Sequence, residues 1–267
     1  MQHREIEAPE ILQDSIRAFW FREMDFGAVP ADFEVMPDGN AEIIFYFGSE
    51  CSLVHDGLAT ALPSPYIVGL LQHPIYFRAA GHLQIIGIKC APWAVYDMLG
   101  LKSVKGGVQS FTHPLASLKT DLEALLVDGN IDAALMLIRD WFLACQQSLK
   151  PELKKAGQAM LAANGSLPIS SVAAAANATV RTLERKFKAS SGYTVKDVSG
   201  LIRFEQVRDR LWRAPETSLS ALAHELGYAD QSHLSREFKR YSGTTAAAFA
   251  KRRGGLSDDF VAIILSN

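Results

Sequence analysis

A segment near the C-terminus of this 267-residue chain repeats after 51 positions, and this repeat constrains the fold more than any other feature. Each copy has the pattern of a helix, a tight turn and a second helix that carries basic residues. The matching pairs are Leu183 and Leu234, Arg185 and Arg236, Phe187 and Phe238, Lys188 and Lys239, and Gly192 and Gly243, with Ala176 matched to Gly227 at the turn. Because a helix-turn-helix places its second helix in the major groove of DNA, two copies predict contact with two successive grooves.

Capping residues indicate where the helices of the first copy begin. Ser170 or Ser171 is expected to cap a short helix that ends at Ala176. Thr179 is expected to cap the following recognition helix, which ends near Ser190. The first copy is therefore predicted as two short helices joined by a tight turn.

A long helix is predicted over residues 195–213, between the two copies. Its length of roughly 28 Å, at about 1.5 Å per residue, is close to the ~34 Å that separates major grooves on one face of DNA. The second copy is predicted as helices over residues 219–226 and 231–241, followed by a terminal helix that ends at 251–253. The long helix can therefore connect two units that read successive grooves.

Charge is divided unevenly along the chain. Residues 166–253 contain 15 Lys and Arg against 8 Asp and Glu, whereas the remainder contains 12 against 21. The net charge of −2 argues against DNA binding by the chain as a whole, but phosphate contact needs only the local field of the basic segment. We therefore expect a basic domain joined to an acidic one.

The length and the 48% apolar content predict two domains, and Asn164-Gly165 marks their boundary. We expect a β-rich sensor or effector domain with C-terminal helices over residues 1–163 and a DNA-binding double helix-turn-helix over 166–253. An apolar tail over 254–267 should follow. Its segment 260–265 is too apolar to remain solvated, so we expect it to dock on a domain surface.

The N-terminal half reads as short strands and then helices, which makes the fold class α+β with an all-α C-terminal module. Strands are predicted over residues 42–47, 51–55, 66–71, 75–78 and 82–89, separated by Gly, Pro and Asn, and they suggest a cupin-like sandwich or small barrel. Helical periodicity follows over residues 115–126, 131–149 and 151–163. The apolar stripe from Ile131 to Cys145 is interpreted as monomer core, with a dimer face as the alternative.

The segments LERKFKASSGYT and LSALAHELGYADQSHLSREFKRYSGTTAAAF, on either side of the long helix, resemble the AraC/XylS family of bacterial transcription regulators. The residues that carry the family pattern are Ala223, Gly227, Tyr228, Asp230, Ser232, Leu234, Arg236, Phe238 and Lys239, and Ala246 stands where the family usually has Pro. The resemblance implies a seven-helix double helix-turn-helix on promoter or operator DNA, which more often activates than represses. The segments MPDGNAEIIFYFG and GIKCAPWAVYDMLG resemble a domain of unassigned role often found ahead of this module.

Helix periodicity and this resemblance together select the DNA-binding residues. Leu183 and Phe187 define the buried stripe of the first recognition helix, which leaves Arg181, Glu184 and Arg185 on its outer face. Arginine can bind guanine through two hydrogen bonds, while a glutamate can accept one from cytosine or orient an arginine. The alternative is an ordinary solvated helix face.

The matching face of the second recognition helix carries Gln231, Ser232, His233 and Arg236. His233 is assigned to a base or to a phosphate. Four further basic residues are interpreted as phosphate contacts or solubilising charges, not as base readers: Lys186, Lys188, Lys239 and Arg240. As phosphate contacts they would set affinity and salt dependence. Tyr228 and Phe204 are interpreted as core aromatics, not as platforms for single-stranded bases.

No catalytic residue, metal or cofactor is predicted. The N-terminal histidines His55, His73, His82 and His113, and the cysteines Cys51, Cys90 and Cys145, show no metal-ligand spacing. Two other classes stay open as alternatives: a metal-dependent cupin-like enzyme fused to a DNA-binding module, and an architectural protein that bends DNA. The aromatic residues Trp20, Trp93, Phe45, Tyr46 and Phe47 are candidates either for an effector cavity or for ordinary core.

The partners and location follow from these readings. Double-stranded DNA is the predicted partner, and RNA polymerase, a small-molecule effector and a second copy of the chain remain open. The N-terminal segment lacks the apolar core of a signal peptide, and no run is long enough to span a bilayer. The sequence therefore predicts a cytoplasmic protein without a membrane partner.

Overall fold

The computed structural model describes residues 2–103, 107–145 and 149–252. Ten strands lie in the N-terminal half of these ranges: β1 (His3–Glu7), β2 (Ile16–Asp25), β3 (Ala31–Val35), β4 (Ala41–Gly48), β5 (Cys51–His55), β6 (Leu58–Ala61), β7 (Tyr66–Val68), β8 (Ile75–Ala79), β9 (His82–Cys90) and β10 (Val108–Ser110). The predicted apolar tail lies outside the described residues.

The strands form two antiparallel sheets. One has six strands in the order β1-β2-β9-β4-β7-β10, and the other has four in the order β3-β8-β5-β6. The long strands β2 and β4 both pair with β9, which places these three at the centre of the six-stranded sheet. The β-rich fold class is confirmed as a two-sheet arrangement, and within the described residues the sheets do not close into a barrel.

Alternation along the central strands sends side chains to two different cores. In β4, Ile43, Phe45 and Phe47 belong to a core shared with the helices on one face of the sheet. Ile44 points the other way, into a core shared with the four-stranded sheet. A strand with period-two side chains can fill both cores because each face of the six-stranded sheet is covered.

Three α-helices belong to the N-terminal half: α1 (Val95–Met98) lies between β9 and β10, and α2 (Lys119–Val127) and α3 (Ile131–Ala144) follow the last strand. The predicted stripe on α3 is confirmed as monomer core, because Ala134, Leu135, Ile138 and Phe142 are buried against the six-stranded sheet and its neighbours. The helix ends at Ala144, earlier than the predicted residue 149.

Seven helices make up the described C-terminal part: α4 (Pro151–Ala162), α5 (Ile169–Ala175), α6 (Val180–Ser191), α7 (Val195–Arg213), α8 (Leu219–Glu225), α9 (Gln231–Ser242) and α10 (Ala246–Arg252). The predicted span of the long helix is confirmed, and Thr194 and Asp197 form its capping box. The predicted cap of α5 was wrong. Ser170 and Ser171 lie inside that helix, and Pro168 precedes it without a side-chain cap.

The two copies of the repeat share their hydrogen bonds as well as their helices. Thr179 and Asp230 accept bonds from backbone N–H groups at the starts of α6 and α9. Both helices end at a glycine with positive φ, 80° at Gly192 and 69° at Gly243, a conformation that glycine adopts without strain. The duplication therefore extends to the residues that begin and end each recognition helix.

The structure corrects the alignment of the two turns. The left-handed residue of the first turn is Asn177 (φ 52°), and that of the second is Gly227 (φ 72°). Asn177, not Ala176, is therefore the counterpart of Gly227. The second turn is one residue longer, because Ala229 separates Tyr228 from the cap of α9. Asn is a residue that tolerates the left-handed region, so it substitutes for glycine there.

The N-terminal and C-terminal halves share a hydrophobic core. Met36, Leu70, Ala91, Trp93 and Ala94 pack in one cluster with the apolar residues of the C-terminal helices. The Trp93 ring lies 5.9 Å from that of Phe187 on α6, measured between ring centroids. The recognition helix of the first copy is therefore packed directly against the N-terminal half.

No helix in the part of the chain that the structure describes has the length and apolarity that crossing a membrane requires.

Candidate nucleic-acid interface

The outer face of α6 presents the residues predicted for the first copy. Leu183 and Phe187 are fully buried, whereas Arg181 and Arg185 are exposed. Glu184 is half-buried, and its Oε2 atom is buried without a hydrogen-bond partner. A buried acceptor of this kind is costly to leave unpaired, so it favours a donor from outside the helix.

A shallow surface depression runs along this face. Its lining consists of Arg181, Thr182, Glu184, Arg185 and Lys188. Thr182 was missed as a candidate, although the repeat pairs it with His233. The side chains of Thr179 and Thr182 are joined by a 3.0 Å hydrogen bond, which holds both hydroxyls at the start of α6.

The second recognition helix, α9, presents an equivalent face. Gln231, Ser232, Arg236 and Lys239 are exposed on it, and Leu234 and Phe238 are buried beneath it. His233 is half-buried, with its ring edge against Tyr228 at a centroid distance of 5.3 Å. The structure thus brings the exposed predicted residues together on one face of each helix.

Lys186 occupies a different position from the other predicted residues of α6. Its Nζ atom lies 2.8 Å from Glu152 Oε1 on α4, and both side chains are partly buried. The ion pair, chiefly through its hydrogen bond, lowers the pKa of Glu152. Lys186 therefore links α6 to the helix behind it.

The same repeat position in α9 is Glu237, and it also pairs with the helix behind it. Its carboxylate accepts hydrogen bonds from Arg203 on α7, with Arg203 Nη2 to Glu237 Oε2 at 3.0 Å. Arg203 also donates to the Gly165 carbonyl at 2.7 Å and lies over the Tyr228 ring at 5.2 Å. Burial alone would lower the pKa of Arg203, but Glu237 and Tyr228 raise it, so the guanidinium stays cationic.

Tyr228 and Phe204 are confirmed as core residues. Tyr228 is 6% exposed and Phe204 is fully buried. The Phe204 ring packs against those of Phe238 and Tyr241, at 5.1 and 5.3 Å between centroids. Neither aromatic ring is available to stack on a nucleic-acid base.

The N-terminal half contacts both recognition helices, α6 and α9, and the helix α7 that joins them. Ser103 Oγ donates to the Ala189 carbonyl at the end of α6, at 2.9 Å. Arg208 Nη1 on α7 donates to the Pro37 carbonyl at 3.2 Å. Arg240 Nη2 on α9 donates to Gln72 Oε1 at 2.9 Å, so this predicted phosphate contact lies beside the N-terminal half.

The five predicted aromatic candidates separate into four locations. Trp20 lines a cavity between the two sheets, together with Arg22, Met24, Phe33, Val35, Glu42, Ile44, Tyr66, Val68, Phe77 and Ile85. Phe45 and Phe47 face the helix-covered core, Trp93 packs between the two halves, and the Tyr46 hydroxyl donates to the Leu62 carbonyl. The cavity therefore uses one of the five predicted residues.

The cavity has an empty volume of about 420 Å³, including the part open to solvent. One basic and one acidic side chain line it, and both are buried: Arg22 is 3% and Glu42 is 7% exposed. Trp20 Nε1 donates to Glu42 Oε1 at 3.2 Å. Burial, together with the charge of Asp38, raises the pKa of Glu42 to about 8, and burial lowers that of Arg22 to about 10.

No group of histidine, cysteine and acidic residues in the described ranges is placed to hold a metal ion. Cys51 and Cys90 are buried free thiols, and burial raises the pKa of both.

Comparison with known proteins identifies two matching regions. Residues 172–252 match the family model described as "Helix-turn-helix domain", and residues 4–105 match a "Domain of unknown function (DUF6597)". A curated relative, the HTH-type transcriptional regulator RipA of Corynebacterium diphtheriae, is 32% identical over 77 residues. That match covers 29% of this chain and 22% of the relative, so the chain spans about a fifth of that protein's length.

Solved structures that resemble this chain include ToxT from Vibrio cholerae. The match has a TM-score of 0.49 and 10% identity, and it covers 94% of this chain and 98% of that one. The C-terminal domain of AraT, a response regulator from Geobacillus stearothermophilus, has a TM-score of 0.37 and 25% identity. It covers 40% of this chain and 89% of that one.

The duplicated turn, the paired recognition helices and the family match define a class: residues 172–252 are an AraC-type helix-turn-helix DNA-binding domain. The matches thus divide the chain into this domain and, over residues 4–105, a domain of unknown function.

Proposed function

We propose that this chain regulates transcription by reading a specific duplex sequence with α6 and α9 in two successive major grooves. The observation that carries the proposal is the repeat of exposed arginines, Arg185 and Arg236, at one position of two helices whose other contacts also repeat. Arginine at such a position can bind the O6 and N7 atoms of guanine. The connecting helix α7 keeps the two reading faces at a fixed separation, because its length is roughly 28 Å.

The remaining exposed residues divide into base readers and phosphate contacts. Arg181 and Glu184 in α6, and Gln231 and Ser232 in α9, lie near the starts of their helices, where recognition helices contact base edges. His233 is packed against Tyr228, which favours a phosphate contact over a base contact.

Phosphate contacts are also proposed for Lys188 and Lys239, which are exposed at equivalent positions further along the two helices. Lys186 is proposed to position α6 and not to bind DNA, because it is paired with Glu152.

The N-terminal domain is proposed to sense a small effector. Transcription is proposed to rise when the helix-turn-helix domain is bound to promoter DNA. Support for the sensing role comes from the cavity between the sheets and from the contacts of this half with α6, α7 and α9. We propose RNA polymerase as the partner at the promoter. The chain acts by binding, with no catalytic step.

Selection of bound sequences from random duplexes by the full chain tests the DNA-reading proposal. The expected product is a site with two short conserved blocks about one helical turn apart, ~10 base pairs. The affinity for that site should fall with rising salt, because lysines and arginines displace counterions from phosphates. Equal affinity for selected and random duplexes would instead indicate an architectural binder.

Paired variants assign each block to one helix. Arg185→Ala should relax sequence preference in one block only, and Arg236→Ala should relax it in the other. Relaxation of both blocks by one substitution would contradict the two-reader arrangement. Transcription from a promoter that carries the selected site, measured with purified RNA polymerase with and without the chain, then tests activation against repression.

A further inference from the structure

The core of the first copy of the repeat is completed by a residue of the N-terminal half. Phe238 of α9, the counterpart of Phe187 in α6, packs against the Phe249 ring of α10 at 5.4 Å between centroids. Val198 stands at the position of Phe249 in the first copy. The ring that packs against Phe187 belongs instead to Trp93, at 5.9 Å. The first recognition helix therefore receives from the N-terminal half the aromatic contact that the second receives from its own helical domain.

The two halves approach each other closely at a glycine on each side of this contact. Trp93 is 2% exposed, and a Cβ atom added to Gly157 of α4 would overlap its ring. On the other side, a Cβ atom added to Gly39, in the loop before β4, would lie 3.3 Å from Ile202 Cγ1 on α7. Packing of this closeness is typical of protein interiors and of permanent interfaces. The contact between the halves therefore has the packing of a core.

Polar contacts surround this apolar centre. Ser103 Oγ donates to the Ala189 carbonyl at 2.9 Å, and this carbonyl belongs to the last turn of α6, where a helix has no internal donors left. At the start of α4, Lys150 Nζ lies 2.9 Å from Asp97 Oδ2. An apolar centre with a polar rim is the arrangement of stable protein interfaces. Ser103 is therefore a cap that the N-terminal half supplies to the first recognition helix.

Most of these contacts come from the two segments that resemble the domain of unassigned role. In MPDGNAEIIFYFG, the Pro37 carbonyl accepts from Arg208 of α7 at 3.2 Å, and Gly39 lies against the same helix. In GIKCAPWAVYDMLG, Trp93 contacts α6 and Asp97 contacts the start of α4. None of these four N-terminal residues is among the described residues that line the cavity between the sheets. Residues 36–40, 91–97 and 103 therefore form a separate surface, the junction surface, which faces the helix-turn-helix domain.

We propose that the domain over residues 4–105 is a permanent docking partner of the helix-turn-helix domain, and that the junction surface holds α6 in its reading position. This inference rests on the proposed DNA-reading function. Without the junction surface, α6 would lose the ring against Phe187 and the donor at its last turn. The second recognition helix depends on the N-terminal half less, because Arg240, which contacts Gln72, is 57% exposed and water competes for its hydrogen bonds. Loss of the junction contact should therefore disturb the block read by α6 more than the block read by α9.

The role of the junction surface is tested by Trp93→Ala in the full chain, measured by fluorescence anisotropy on the selected duplex and on duplexes with either block changed. The variant should bind the selected duplex about ten times more weakly. It should lose most of its preference at the α6 block and keep its preference at the α9 block. Trp141→Ala is the matched control and should leave both preferences unchanged, because Trp141 lies on α3 and packs against Phe142, away from the junction surface. Wild-type preference at both blocks in Trp93→Ala, or equal losses at both, would overturn the proposal.

A second experiment tests the docking without a substitution at the junction surface. A protease recognition site is inserted between α3 and α4, and the purified full chain is cut there. The two pieces should elute together in gel filtration at low micromolar concentration. Separation of the pieces would overturn the proposal, and this measurement decides the question if Trp93→Ala does not fold. Absence of any selected duplex, with the pieces held together, would instead refute the DNA-reading function and leave the docking standing.

Discussion

Replacing Arg185 and Arg236 by alanine, singly and together, separates DNA recognition from folding. Both side chains are exposed on the outer faces of α6 and α9, so their removal should change the free energy of unfolding by no more than about 0.5 kcal/mol. A good two-bond contact between arginine and guanine contributes about 1–3 kcal/mol of discrimination. Each single variant should therefore bind the selected duplex roughly 5 to 150 times more weakly.

The two losses should add in the double variant. The arginines lie on separate helices joined by α7, at a distance where substitutions rarely interact. The summed cost is about 2–6 kcal/mol, so affinity for the selected duplex should approach that for random DNA. Affinity is measured by fluorescence anisotropy at one fixed salt concentration, and folding is checked by thermal unfolding of each variant.

Arg4→Ala is the control for loss of one positive charge. Arg4 lies on β1, is 55% exposed and pairs with Asp132 on the surface of the N-terminal half. Its removal should leave DNA affinity unchanged. If Arg4→Ala weakens binding as much as Arg185→Ala, the loss reflects net charge and not a base contact. If the double variant binds the selected duplex like the wild type, the assignment of both outer faces is wrong.

Three further predictions test the positioning contacts, the cavity and the junction between the halves. Lys186→Glu should weaken DNA binding, because the new carboxylate repels Glu152 and displaces α6. The reversed pair, Lys186→Glu with Glu152→Lys, should recover most of the DNA affinity in the same anisotropy assay. Absence of recovery would indicate that Lys186 contacts a phosphate directly. Glu42→Gln should flatten the dependence of folding stability on pH. Because the raised pKa of Glu42 means that the folded protein binds this proton more tightly than the unfolded chain, the wild type loses up to about 1.4 kcal/mol of stability per pH unit as the pH rises from about 4.5 towards 8. Urea unfolding of both proteins over this pH range measures the difference. Gly157→Ala should lower the thermal unfolding midpoint, because the new Cβ would overlap the buried Trp93 ring. This loss should exceed the gain of about 1 kcal/mol in helix propensity. A raised midpoint would contradict the packing of Trp93 against α4.

Local chemistry made the C-terminal half predictable from its sequence. The span of α7 and the starts of α6 and α9 follow from apolar periodicity and from short capping side chains, which act within a few residues. The repeat supplied the equivalent positions in the two helices. It did not reveal the inserted Ala229, because a one-residue shift in a turn leaves the register of the following helix unchanged.

Long-range contacts decided what the sequence left open. Strand β2 was missed because it is buried almost throughout, between the four-stranded sheet and the helices, and so lacks an alternating pattern. Trp20 lines the cavity, whereas Phe45 and Phe47 point into the helix-covered core. Only the face of the sheet on which each side chain lies distinguishes them, and the sequence did not show which face that is. Lys186 has the same local sequence context as a phosphate-binding lysine, and only the packing of α4 against α6 brings Glu152 to it.

The sequence by itself thus determined the long helix α7, the two recognition helices and the duplicated reading unit, because those depend on interactions between residues close in the chain. Tertiary structure decided which of the basic side chains remain free to face DNA, which aromatic residues surround a cavity, and how the N-terminal half holds α6, α7 and α9. Those outcomes depend on residues far apart in the chain, such as Gln72 and Arg240, whose proximity no local pattern records.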